Sequence, residues 1–379
     1  MIRAPLGRAD LLALVGRVHP HYRPVWDGLR SAEERLALAA YFLPHRSSRP
    51  VLGPTRPRVV KWYCPFAPQR LFPSGHRYCV NVYTGCAHGC RYCYAAAYEP
   101  VQAAGKRDYR RLLEKDLTDL EAFGVPPAPV HLSNSTDPHQ PLEARTGHAR
   151  HTLERLLAHR SCFTTVTLIT KNPGLAVELG ALPLLRALGE TPSPDLSASS
   201  PEGSPPPGCQ VEVSLAFWRD VAAAAYDPGA PTPEERCEGI LALREAGIPV
   251  VLRIDPLFPR SPLPLAVPAG LPDFGVPEAQ TLDDLQALVE FACRAGVRHV
   301  VYSAAKIVRP RWGPLDPLME AWRAVYAALA APGKPVWRSL SWRLPEAVAR
   351  EHVFGPFLRL CAEGGMAAKH CCRNLLETG

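Results

Sequence analysis

Three cysteines constrain this chain more than any other feature. Cys86, Cys90 and Cys93 stand at spacings of four and three residues in Asn81-Val-Tyr-Thr-Gly-Cys86-Ala-His-Gly-Cys90-Arg-Tyr-Cys93-Tyr94, directly after the first segment that reads as a strand. Three thiolates placed so closely can wrap one compact inorganic cluster. On a four-iron cluster they leave one iron open, and an open iron can take the amino and carboxylate groups of a small molecule. Gly85 and Gly89 let the backbone turn tightly there, and Tyr92, beside the last cysteine, can pack against an adenine. The rival is a structural zinc completed by His88 or Cys79. Zinc prefers four protein ligands, often in C-x2-C pairs, so the spacing and the strand-then-loop setting weigh against it.

The remainder of the chain alternates strand and helix patterns. Apolar, β-branched runs fall at 78–83, 129–133, 163–170, 210–215, 249–254 and 299–302. Helical spacing occupies roughly 91–98, 108–123, 142–159, 175–188, 233–246 and 281–295, with a further helix at 315–331. Strands alternating with helices imply βαβ units and a parallel sheet. Six units make an α/β partial (β/α)6 barrel rather than a closed eightfold one, with the reactive end at the strands' C-terminal ends. Two helices, at 8–17 and 31–43, and a Pro/Arg/Ser-rich linker precede it. The expected divisions are therefore a basic N-terminal extension over 1–60, a barrel over 61–310 and a helical, cysteine-containing C-terminal extension over 311–379. Two long loops, 189–208 and 256–280, are rich in proline; the second reads either as a lid or as a stiffened surface excursion.

Charge and cysteine use narrow the setting. The net charge is +7, and residues 1–64 hold eleven Lys/Arg against four Asp/Glu, so the excess sits in that segment. A basic arm can meet nucleic acid through its phosphates, or simply be solvated. No stretch is apolar enough to span a bilayer, and Arg3, Arg8 and Asp10 interrupt any signal-like run. A cytoplasmic protein with no membrane partner is expected. In a reducing compartment, clustered cysteines among the 12 are ligands or catalytic groups more often than disulfides.

The segment YTGCAHGCRYCY resembles the radical S-adenosylmethionine superfamily and, within it, the spore photoproduct lyase-like group, also known as DNA repair photolyase-related proteins. The resemblance covers roughly residues 60–310. It implies one [4Fe-4S] cluster on Cys86, Cys90 and Cys93, one S-adenosylmethionine, and an electron donor such as flavodoxin or ferredoxin. It also implies cofactor contacts beyond the cysteines. Ser133, Ser135, Thr136 and Asp137, in a string like the family's S-x-S/T-D-P-x-Q-P-x-E, would face the methionine ammonium; as a competing reading, Asp137 before Pro138 makes a good helix cap. Lys171, in a Thr-Lys pair like the family's, would meet the cofactor carboxylate. Ser214 matches a position near the carboxylate or ribose. From the residues alone, Arg253 and Asp255 on the fifth strand either contact ribose or substrate or pair with each other. Tyr302 and Lys306, by their place after the sixth strand, face the expected mouth and could touch substrate, though core and surface roles are more common for such residues.

The resemblance breaks at one point. Photoproduct lyases carry a hydrogen-donating cysteine three residues before the aspartate of this string, and here Asn134 stands in its place. Repair of the spore lesion itself is therefore not expected. A related reaction on a nucleic acid base or lesion stands first, with a peptide or small-metabolite substrate, or a non-enzymatic metal-binding protein, as alternatives. Cys162 precedes its strand and so falls at the wrong barrel end. Cys361, Cys371 and Cys372, with His370, could hold an auxiliary metal, could be buried thiols, or could bring a hydrogen donor over the mouth. Trp337, Arg338, Trp342, Arg343, His352, Phe354, Phe357 and Arg359 suit either base stacking or packing of the extension on the barrel; packing is favoured.

Overall fold

The computed structural model describes residues 59–61, 77–100, 102–122, 127–190, 208–265, 267, 269–330, 337–338 and 341–371. The two N-terminal helices, the basic arm, most of the first long loop, Cys64 and Cys372 lie outside these residues.

Seven parallel strands lie side by side in chain order: β1 (Tyr78–Val80), β2 (Ala128–Leu132), β3 (Phe163–Thr170), β4 (Cys209–Ser214), β5 (Val250–Leu257), β6 (His299–Ala304) and β7 (Ala367–His370). Val60–Lys61 adds an antiparallel edge to β1. The chain returns between strands through α1 (Tyr109–Ala122), α2 (His148–Ala158), α3 (Pro173–Glu178), α4 (Leu182–Glu190), α5 (Asp220–Tyr226), α6 (Pro233–Glu245), α7 (Leu282–Arg294), α8 (Pro317–Ala328) and α9 (Gly355–Glu363). The α/β partial barrel expected from the sequence is thus present, with all six strands in place and a seventh beyond them. Among the described residues no helix is long and apolar enough to cross a membrane.

Local chemistry sets the boundaries. Thr232 and Thr281 each close a capping box, with Glu235 and Asp284, at the starts of α6 and α7. Asn172 caps α3 ahead of Pro173, and Asp316 caps α8 ahead of Pro317. The expected helix over 142–159 is split by Gly147 at φ +57°, and that over 175–188 by the turn at Gly180, φ +77°. The helix expected over 91–98 shrinks to one 3-10 turn, Tyr94–Ala97, because the cluster loop fixes its start.

The two faces of the sheet differ in chemistry. Val130, Leu168, Val211, Val213, Leu252 and Ile254 are fully buried under the helices, each worth roughly 1.5–3 kcal/mol of burial. On the other face Cys79, His131, Thr167 and Gln210 stand in register across β1–β4, and Ser214, Arg253, Val301 and Lys369 across β4–β7. Branched apolar layers fill the interior of a closed eightfold barrel; this interior is polar. The His131 imidazole is kept neutral first by burial and then by Arg77, Arg253 and Lys369. The sheet therefore curls far enough to bring β5 and β7 within electrostatic range of β2.

The C-terminal extension packs rather than projecting. Tyr302 on β6 meets Phe354, Phe357 and His370 edge-on at centroid distances of 5.2, 5.6 and 5.2 Å. That aromatic cluster seats β7, a strand its sequence, Ala-Ala-Lys-His, does not announce. Cys361 is buried at the end of α9 against Cys293, whereas Cys371 follows β7 and donates its amide to Tyr302 O at 2.7 Å. The structure does not bring these two cysteines to one metal.

Candidate active site

The loop after β1 is bent around two glycines. At Gly85, φ is +69° and an added Cβ would stand 2.2 Å from the Gln102 carbonyl oxygen, so only glycine fits. Gln140 then clamps the loop, accepting from Ala87 N at 2.8 Å and donating to Gly85 O at 3.3 Å. His88 is buried between Gly229 O, 3.1 Å from Nδ1, and Asp137 Oδ2, 3.2 Å from Nε2.

Cys86, Cys90 and Cys93 lie together on this loop, Cys86 sensing the charge of Cys93 and Cys90 that of both others. Burial is the main cause that raises all three thiols, Cys86 to about 12. Asp137 pushes Cys86 further up and Asp227 does the same to Cys90; Lys171 pulls Cys90 and Cys93 back. Among the described residues no three His, Cys, Asp or Glu side chains are placed to hold one metal ion. A four-iron cluster asks something else of a protein, since each thiolate takes its own iron.

The expected cofactor residues divide into two sets. In the first, the hydroxyls of Ser133 and Thr136 await a partner. Ser133 is 2% exposed at φ +62°, Thr136 is 7% exposed, and neither hydroxyl has a hydrogen-bond partner among the described residues. Buried hydroxyls without partners are costly, and two at one strand end fit a polar ligand such as an ammonium or carboxylate. Ser135 stands beside them, its amide donating to Asn81 Oδ1 at 3.1 Å and its hydroxyl 3.0 Å from Tyr98 OH. Ser214 ends β4, 8% exposed, its carbonyl accepting from Arg236 at 3.2 Å.

In the second set, protein partners already engage the side chain. Asp137 Oδ1 accepts from His139 N and Thr170 Oγ1, both at 2.8 Å, and Oδ2 accepts from Lys171 N at 2.6 Å. Burial alone would raise this carboxyl; His88 and the Lys171 amide reverse that and hold it well below the usual carboxylate range. Lys171 Nζ donates to Tyr92 OH at 2.8 Å and Asp227 Oδ2 at 3.1 Å. The Tyr92 ring meets Phe217 and Phe258 at 5.8 and 6.0 Å, and its hydroxyl donates to Asp227 Oδ1 at 2.6 Å. Arg253 pairs with Glu212 and with Asp255 Oδ2 at 2.7 Å, and its Nη2 lies 3.6 Å from Cys371 Sγ.

Asp227, Arg236, Glu212 and Gln140 are prominent here although little in the sequence announces them. Asp227-Pro228 reads as a turn, and Arg236 as a solvated helix charge. Only Gln140 had a signal, since it lies in the polar string after β2.

No family model matches the chain. Uncharacterized proteins of Mycobacterium tuberculosis and Mycobacterium bovis are each 27% identical over 195 residues, 48% of this chain. The chain spans about half the length of these curated relatives, 50% in each case. Among solved structures, a cysteine-to-alanine variant of spore photoproduct lyase superposes with TM-score 0.51 at 11% identity, covering 86% of each chain. The lyase complexed with dinucleoside spore photoproduct gives 0.50 at 12% identity, again over 86% of each chain. The chain has the spore photoproduct lyase fold. The resemblance read from YTGCAHGCRYCY thus holds at the level of fold. In that fold the cysteine loop, the Ser133–Asp137 string and Lys171 all occupy the C-terminal ends of parallel strands, the end at which barrel enzymes carry their chemistry.

Proposed function

We propose that this chain is a radical S-adenosylmethionine enzyme. Cys86, Cys90 and Cys93 would hold a [4Fe-4S] cluster, with Ser133, Ser135, Thr136 and Ser214 receiving S-adenosylmethionine beside it. Reduced by a flavodoxin or ferredoxin, the cluster would cleave the cofactor to a 5′-deoxyadenosyl radical that takes a hydrogen atom from the substrate. The observation that carries this reading is a half-buried three-cysteine loop beside two buried hydroxyls without partners among the described residues, at one end of a parallel sheet. Asp137 would brace the site rather than bind the cofactor, since four groups of the protein surround its carboxylate. Such thiol chemistry needs a reducing compartment, so we place the protein in the cytoplasm.

The test is anaerobic reconstitution of the full chain with iron and sulfide, reduction with dithionite, and chromatography for 5′-deoxyadenosine. Product is expected. Zinc in place of iron, as isolated and after reconstitution, would overturn the cluster assignment. A full, reducible cluster that yields no product with nucleic acid, peptide or metabolite mixtures would leave a non-enzymatic metal protein.

For the substrate, a nucleic acid base or lesion is favoured by the rim of the site. Trp312 is 54% exposed with the Arg311 guanidinium 4.8 Å from its ring centre, and Arg309 is exposed beside it. Arg311 N donates to Ala96 O at 2.9 Å, tying this rim to the cluster loop. An exposed aromatic flanked by guanidinium groups suits base stacking with phosphate contact. Labelled single-stranded DNA should bind with a steep salt dependence, and Arg311→Ala/Trp312→Ala should weaken binding by about tenfold or more. Binding untouched by both salt and the double substitution would turn the reading to a peptide or metabolite.

A further inference from the structure

The loop between β5 and α7 builds a wall rather than a flap. Leu263, Leu271 and Val276 are buried, and Leu263 bridges Ala269 across the loop. Ser261 Oγ accepts from Leu271 N at 2.9 Å. Gln280 closes the base, accepting from Phe258 N at 2.9 Å and donating to Ala216 O and Pro256 O at 2.7 and 3.1 Å. The turn Ala349–Phe354 and the start of α9 form the opposite wall. Between the two lies a cavity of about 750 Å³, in the size range of small-ligand sites. Arg260 stands just past the end of β5, and Thr281 caps the helix that follows, so the cavity lies at the C-terminal end of the sheet. That end also carries the cysteine loop. α9 runs back to the start of β7, which puts its first turn there too.

Two guanidinium groups line this cavity with donors to spare. Arg260 Nη2 donates to His352 O at 3.0 Å and ties the walls together, while its Nη1 is buried without a hydrogen-bond partner among the described residues. Arg359 is exposed and makes no hydrogen bond or ion pair among them. The neighbouring carboxylates do not take up these donors. Glu278 Oε1 accepts from Ser261 N at 3.1 Å, and Glu351 lies exposed, 3.8 Å from His352 Nε2. Counted formally, Arg260 and Arg359 cancel Glu278 and Glu351, so the cavity does not draw an anion from afar. What it offers is local: fixed guanidinium donors, a carboxylate, and the apolar faces of Pro262, Leu282 and Pro356. Leu282 is 47% exposed. A buried donor without a partner is costly, and a ligand oxygen placed on it removes that cost.

A ligand that matches this mixture carries an anionic group with several acceptor oxygens, a flat apolar face and donors along its edge. A nucleotide unit has all three. Its phosphate suits guanidinium donors, its base face suits the prolines and leucine, and its amino or ring N–H groups suit Glu278. We propose that the cavity takes one nucleotide of the strand that reaches the active site, its phosphate held by Arg260 and Arg359. The proposal rests on the nucleic acid reading of the substrate and adds a second contact to the same strand. Arg260 follows β5, as Arg311 and Trp312 follow the neighbouring β6. The long proline-rich loop after β5 is then a fixed substrate wall, not a lid.

The test is binding of a labelled single-stranded oligodeoxynucleotide to the reconstituted full chain, read by fluorescence anisotropy across a salt series. Arg359→Gln removes a side chain that holds nothing else among the described residues, and should weaken binding severalfold; Arg359→Glu should weaken it more. The double variant Arg260→Gln/Arg359→Gln should weaken it by about tenfold or more. It should also flatten the slope of log K against log salt by about 0.7, the loss of one phosphate contact on a single strand. Should the Arg260 substitution fail to fold, the ordered pair of Arg359 variants decides alone. Arg359 variants that bind like wild type, while Arg311→Ala/Trp312→Ala weakens binding, would overturn the cavity assignment and leave the nucleic acid reading standing. No binding of the oligonucleotide by the wild type would overturn both. A labelled acidic peptide bound in its place, and lost in Arg359→Glu, would give the cavity to a peptide.

Discussion

Replacing Cys86, Cys90 and Cys93 together with alanine is expected to reduce iron and sulfide in the reconstituted protein to background and to abolish 5′-deoxyadenosine formation. The three thiols are the only cysteines on the loop bent at Gly85 and clamped by Gln140. Cys79 faces Asn134, whose Nδ2 donates to its sulfur at 3.3 Å, and belongs to the strand before the loop. Cys162 precedes β3 in the turn Arg160–Cys162, at the opposite end of the sheet, and Cys209 is fully buried at the start of β4. Cys162→Ala should therefore keep its iron, and that contrast separates a site from general thiol loss. Because burial holds the three thiols protonated, uptake must release protons and should weaken as pH falls. Iron assay and visible absorbance after desalting check all of this. Iron retained by the triple variant would place the metal elsewhere.

The elements legible in the sequence are those with a local cause. The six strands are β-branched and apolar, buried on at least one face, and their boundaries agree with the structure to within a few residues. The cysteine loop was legible because its chemistry is compressed into eight residues. β7 was not, because its Ala-Ala-Lys-His sequence has no strand signature; it is recruited by the aromatic contacts of Tyr302 and His370 across 68 residues of chain. The same distance effect hid the roles of Asp137 and Lys171. Sequence shows a carboxylate and an amine at strand ends, both free to meet a cofactor. Only the fold shows that His88, Thr170 and the Lys171 amide converge on one, and that Asp227 and Tyr92 hold the other. A buried charge is defined by its partners, and these partners come from other βα units.

Asp137 carries the largest expected effect on stability. Its carboxylate ties together the cluster loop through His88, the end of β3 through Thr170 and Lys171, and its own turn through His139. It is 5% exposed, so nothing in solvent replaces these bonds. Asp137→Ala leaves several buried donors without an acceptor and is expected to cost about 3–5 kcal/mol, the range for breaking a buried charged network from one side. Asp137→Asn keeps the volume and one acceptor oxygen and should cost less. The sign with pH follows from the depressed carboxyl. A carboxylate held below its unfolded value of about 3.9 contributes its full stability above that pH and loses it progressively below. The gap between wild type and Asp137→Asn should accordingly be open at neutral pH and narrow as pH falls below about 4. Urea denaturation of the metal-free chain, followed by circular dichroism at both pH values, reads the two midpoints. Equal midpoints at neutral pH would mean that the carboxylate does not brace the loop. In that event the same substitution should instead weaken binding of S-adenosylmethionine, and Asp137 would return to the cofactor as a direct ligand of its ammonium group.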